Sequence, residues 1–167
     1  MALIIEDGSI VPNANSFVTV AEARLYAGER GVSMPAGDTE VEQALVKAGD
    51  YLLSYEQKLK GDRAGASQTM VYPRSDVMLF GTLFPNDGIP QQLKNAQIVL
   101  ASYSADGVEL RPVGDGRETR REKVGLIEVE YFEGGRSSIS PTFNAAIDIL
   151  EPLFTAAGGN FFQVYRA

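Results

Sequence analysis

The chain has no cysteine, no histidine and no tryptophan. Without cysteine there are no disulfides and no thiolate metal sites. Without histidine the commonest general base and metal ligand is missing. No apolar run approaches the roughly 20 residues of a membrane span, and the opening MALIIEDG is too short and too acidic for a signal peptide. The expectation is a soluble protein of intracellular origin, with no membrane. Cations are in the minority, 15 Lys and Arg against 22 Asp and Glu, for a net charge of -7. That argues against general affinity for nucleic acid, because phosphates need facing cations. Local basic patches remain, from Lys58 to Arg74 and from Arg111 to Lys123. There is no phosphate-binding glycine loop and no dinucleotide fingerprint. Gly114-Asp115-Gly116 lacks the further oxygen ligands of a calcium loop. The expectation is no enzyme, no cofactor and no metal.

What is present suits one domain with an ordinary apolar content, 44% of 167 residues. Residues 1–18 read as an extended leader, with turn chemistry at Asp7-Gly8 and from Pro12 to Ser16. Thr19 and Glu22 form a capping box that starts a helix ending near Gly31. A second capping box, Thr39 with Glu42, starts a helix whose apolar stripe is Val41, Ala44, Leu45, Ala48, Leu52, Tyr55 and Leu59. Residues 61–88 form a long connection rich in apolar side chains, which must be buried against the body or against a neighbour. Pro90 suits the first turn of a third helix, with Leu93, Ala96, Val99, Leu100 and Tyr103 as its stripe. Ser140-Pro141 starts a fourth, carrying Phe143, Ala146, Ile147, Leu150, Leu153 and Phe154. The predicted architecture is mainly α. It is a bundle of about four helices over residues 19–157, with a protruding β-hairpin arm within 117–140 and a tail at 158–167.

Two stretches stand apart. From Arg117 to Phe132 the chain is first charged, then alternates as a strand. Gly134-Gly135 reads as the turn, so the hairpin is expected over about 124–140. Glu128 and Glu130 share one strand face, and a solvated face outweighs a metal or acid–base role there. The cluster Arg117, Arg120, Arg121 and Lys123 is interleaved with Glu118 and Glu122. Mixed signs of this kind favour a solvated arm or intersubunit salt bridges over a phosphate grip. The tail NFFQVYRA is unusually aromatic for a terminal segment, and either folds back onto the last helix or docks into a partner.

Several motifs in order carry a resemblance. Asn15-Ser16-Phe17-Val18-Thr19-Val20-Ala21-Glu22-Ala23 resembles the opening of small tailed-phage proteins labelled DnaT-like single-stranded DNA-binding proteins. Ala44 to Leu52, Tyr72-Pro73-Arg74, Ile89-Pro90, Glu122-Lys123-Val124-Gly125 and Glu128-Val129-Glu130-Tyr131 resemble later elements of that family. Tyr72 stands where Trp is common, and the segment from Val77 to Asp87 is long. The layout is similar to head–tail connector (adaptor) proteins of long-tailed phages. That resemblance implies a structural virion protein of the neck, made in the host cytoplasm. It also implies a homo-oligomeric ring, expected as a dodecamer, beneath the portal protein. Such a ring extends the channel for passing genomic double-stranded DNA and docks a downstream neck or tail-terminator protein. By analogy Phe161, Phe162, Tyr165 and Arg166 are portal-contact candidates. Arg117, Arg120, Arg121, Lys123, Tyr72 and Arg74 are subunit or neck contacts. The alternative implied by the label is a single-stranded DNA-binding replication protein that uses Tyr72, Arg74 and the 117–123 cluster.

Overall fold

The computed structural model describes residues 2–111, 121–124, 127–130 and 143–155. Thr19 caps α1 (Val20–Arg30) as its sequence predicts. The Thr19 hydroxyl accepts from the Glu22 amide at 3.2 Å, and the Glu22 carboxylate accepts from the Thr19 amide at 2.7 Å. α2 (Asp38–Leu53) begins one residue before Thr39, with Gly37 as N-cap and no side-chain cap. The second capping box is therefore not used. Asp38 and Glu40 still place acid in the first turn, where the helix dipole favours it. α2 also stops earlier than the apolar spacing suggested. A 3-10 turn at Glu56–Lys58 intervenes, and Leu59 reaches the core beyond it.

α3 (Gln91–Ala105) follows Pro90, which serves as N-cap rather than first helical residue. It packs against α1, α2 and α4 (Asn144–Leu150), and so is buried on more than one side. Leu93, Ala96, Ile98, Leu100 and Ala101 are all buried. The predicted stripe holds at Leu93, Ala96 and Leu100, while Val99 and Tyr103 are half-buried. α4 is short, and Pro152 lies in the 3-10 turn Glu151–Leu153 that follows it. Leu59 bridges Phe154, and the Thr155 amide donates to Lys58 O, so the ends of α2 and α4 are sewn together.

The leader is extended, as read, and it is part of the core. Phe17 and Val18 are buried, and Ile5 pairs with Ser16. Buried Glu6 accepts from the amides of Gly8 (2.9 Å), Ile10 (3.0 Å) and Val11 (3.0 Å). Those bonds fold residues 6–11 into a compact turn. The leader crosses α2 at Gly49, where an added Cβ would lie 2.8 Å from Asn15 O. Only glycine permits that approach.

The described residues contain three two-stranded antiparallel ladders. β1 (Asp62–Arg63) pairs with β2 (Arg74–Ser75), and β3 (Met78–Leu79) with β4 (Thr82–Leu83). β5 (Arg121–Val124) pairs with β6 (Ile127–Glu130). The mainly α fold with a hairpin is as predicted, but the hairpin register is not. The predicted turn at Gly134-Gly135 lies outside the described residues, and the observed ladder joins 121–124 to 127–130. The pairing sets Arg121 opposite Glu130, Lys123 opposite Glu128 and Val124 opposite Ile127. Opposite charges at paired positions stabilise a ladder, which selects this register over the longer one.

Candidate interaction site

Residues 61–88 are ordered around Arg74. Its Nε donates to Lys60 O at 2.8 Å and its Nη2 to Gly61 O at 2.5 Å. Nη1 reaches Val71 O at 3.5 Å. A guanidinium has five donors in a rigid fork, and this one spends them on backbone carbonyls. Arg63 pairs with Glu56 and also donates to Gln68 O at 2.8 Å. The Arg63 guanidinium holds the Glu56 carboxyl below the usual range. Met70, Val71, Tyr72, Val77 and Leu79 are buried beneath this scaffold.

Tyr72 and Arg74 therefore need a correction as contact residues. Tyr72 is fully buried, and burial pushes its phenol up to about 12. Arg74 is 6% exposed. Neither ring nor guanidinium presents a face to a partner or a nucleobase. A Tyr-Pro-Arg element in a long loop read as a surface motif, and it is the loop's internal anchor.

What the scaffold displays is the β3–β4 turn. Val77 and Leu79 point inward, whereas Met78, Phe80 and Leu83 are 49%, 79% and 60% exposed. Phe80 and Gly81 both have positive φ, 52° and 79°, the backbone of a tight two-residue hairpin turn. Glycine adopts that conformation freely. For a bulky residue such a φ is a strained outlier, costing about 1–3 kcal/mol. An aromatic ring held in strained backbone and turned to solvent serves no purpose for the isolated fold.

A second surface lies at the end of α3. An open cavity of about 460 Å³ is lined by Lys47, Asp50, Tyr51, Val108, Leu110 and Arg111, among others. Arg111 Nη2 donates to Asp50 O at 3.1 Å and holds its rim. A row of rings leads away from it. Tyr103 lies 5.3 Å from Phe143, Phe143 is 5.5 Å edge-on to Tyr51, Tyr51 is 5.5 Å from Tyr55, and Tyr55 stacks on Phe154 at 5.7 Å. The Tyr51 and Tyr55 hydroxyls are 3.1 Å apart. Burial, then that hydrogen bond, raises the Tyr51 phenol above its ordinary value. The predicted core stripe includes Tyr55 and does not single out Tyr51, although the two stand four residues apart.

Of the other predicted contact residues, Arg121 and Lys123 lie on β5 at the register positions given above. Arg117, Arg120, Phe161, Phe162, Tyr165 and Arg166 lie outside the described residues. No group of three or more acidic side chains that could hold a metal occurs among the described residues, and no helix there is long and apolar enough to cross a membrane.

The fold and these surfaces define a small, mainly helical domain that displays an apolar turn and, on other elements, an open cavity. A sequence model of the family described as "Putative DnaT-like ssDNA binding protein" matches residues 1–167, so the chain belongs to that family. Comparison with curated proteins and with solved structures gives no match.

Proposed function

We propose that the protein is a structural, non-catalytic subunit: a head–tail connector of a tailed-phage virion, assembling as a ring beneath the portal. In this reading the ring, expected as a dodecamer, extends the DNA channel and docks the next neck or tail-terminator protein. Double-stranded DNA passes without sequence-specific contact. The observation that carries the reading is the β3–β4 turn, where Met78, Phe80 and Leu83 are exposed on a rigid base. Apolar surface displayed in this way belongs against protein. The net charge of -7 also suits a passage that DNA must leave freely. The tail residues Phe161, Phe162, Tyr165 and Arg166 remain the portal-contact candidates, and the 117–132 ribbon the candidate for subunit or neck contact.

A second reading, single-stranded DNA binding, is the one that the family's description favours. Aromatic stacking beside cations would carry it. The interior placement of Tyr72 and Arg74 removes two residues on which it leaned. Tyr51, half-buried between Lys47 and Arg111 on the cavity rim, is the best remaining platform.

Two measurements separate the readings. The chain is imaged by negative-stain electron microscopy alone and with its cognate portal, and titrated with a fluorescent single-stranded oligonucleotide at low and moderate salt. Rings on the portal without oligonucleotide binding support the connector. Micromolar, steeply salt-dependent binding without ring formation supports the second reading.

A further inference from the structure

Five large apolar side chains are exposed among the described residues: Leu25, Met78, Phe80, Leu83 and Val108. Three form the β3–β4 turn. Val108 stands on the rim of the cavity that Tyr51 and Leu110 also line. The chain thus carries an apolar knob and, on different elements, an open hole with an apolar wall. We propose that Phe80 of one copy, flanked by Met78 and Leu83, seats in the Tyr51–Val108–Leu110 cavity of the next copy. This rests on the ring reading and names the contact that builds the ring.

Charge points to the same occupant. From Val77 to Pro85 the turn carries no charge, and it is bounded by Asp76 and Asp87, both exposed. On a chain of net charge -7, a knob flanked by two carboxylates is repelled by most surfaces of its own kind. The cavity rim is different. Lys47 and Arg111 stand there with Asp50 and Glu109, and none of the four belongs to an ion pair among the described residues. The two cations are available to Asp76 and Asp87 of an incoming turn, and the rim as a whole is neutral. The size also suits. A cavity of about 460 Å³ accepts one aromatic side chain with room for its neighbours, and an aromatic anchor in a pocket is the usual centre of a protein interface. Because knob and hole are different patches, the contact is head-to-tail, and repeating it gives a closed ring or a filament. The strained backbone at Phe80 is consistent with a residue placed for a partner.

The absence of native cysteine allows a clean test. The double variant Phe80→Cys with Val108→Cys is mixed with portal, oxidised and run on a non-reducing gel. The expected result is a ladder of covalent multimers, together with crosslinks between the two single variants when they are mixed. The control pair Leu25→Cys with Val108→Cys gives no ladder. If rings form on the portal but the double variant stays monomeric, the knob-and-hole contact is wrong and the ring reading stands. If thiols disappear with no change in mass, the contact lies within one chain and the proposal is equally overturned. If no self-association occurs with or without portal, both fall. A second variant, Phe80→Asp, is expected to abolish rings while its urea midpoint is no lower than the parent's, because the ring is 79% exposed in the single copy and Asp tolerates the positive φ better.

Discussion

Gln97 Oε1 accepts a hydrogen bond from the Phe17 amide at 2.9 Å, across 80 residues of chain. The Gln97 amide nitrogen donates to Ser16 Oγ at 3.1 Å and to Leu45 O at 2.9 Å. One fully buried amide thus ties the leader, α2 and α3 together. Gln97→Leu keeps the volume but leaves the Phe17 N–H buried and unpaired. The variant is expected to lose about 1–3 kcal/mol, read as a lower urea midpoint at unchanged slope.

Glu6 does for the leader what Gln97 does for the core. Its two oxygens satisfy three amides, those of Gly8, Ile10 and Val11. Glu6→Gln would turn an NH2 group toward at least one of these donors. Charge-assisted bonds are the strong ones, so a loss of about 1–3 kcal/mol is expected in urea unfolding. Protease cleavage near residues 8–12 should rise in parallel.

Arg74 and Tyr72 are predicted to act through stability alone. Arg74→Lys cannot reach Lys60 O, Gly61 O and Val71 O together, and is expected to cost about 1–3 kcal/mol. Tyr72→Phe removes a buried hydroxyl that has no partner among the described residues, and should be neutral or stabilising. Its effect on pH dependence is more specific. Tyr72 is raised to about 12 and Tyr51 is raised as well, so the folded state holds both phenols neutral after the unfolded chain has begun to ionise. The Tyr72 part of that stability is complete below about pH 10 and falls away as pH rises beyond it, by about 1.4 kcal/mol per pH unit at most, while the partly solvated Tyr51 contributes less. Tyr72→Phe should make that fall shallower, as seen in urea midpoints between neutral and alkaline pH.

The β5–β6 register predicts a charge-swap result. Arg121→Glu sets two acids opposite one another at Glu130, and should weaken ring formation on the portal. Adding Glu130→Arg restores the opposite pair and should restore the rings. An unrescued loss would mean that Arg121 acts by touching a partner rather than through its own hairpin.

Much of the helical body was legible in the sequence because its signals are local. The Thr19–Glu22 box and the spacing of Val41, Ala44, Leu45, Ala48 and Leu52 depend on neighbours three and four residues apart. The same locality misled at Thr39, where the pattern of a capping box was present but α2 had already begun at Asp38. The interaction surfaces were less legible. Tyr72-Pro73-Arg74 looks like an exposed motif until residues 60, 61 and 71 supply the carbonyls that Arg74 binds. Phe80 looks like one more apolar residue in a greasy loop, and only the register of Met78 with Leu83 shows it turned outward. The arm within 117–140 was legible, but its turn was placed too late because glycines at 134 and 135 outweighed the mirrored charges of Arg121–Val124 and Ile127–Glu130.

The most direct test of the central claim is the state of the chain on its portal, measured by mass photometry and imaging, with single-stranded DNA binding measured on the same preparation. The account predicts rings on the portal and no salt-sensitive oligonucleotide binding. A chain that stays monomeric with portal and binds single-stranded DNA at micromolar concentration would contradict it.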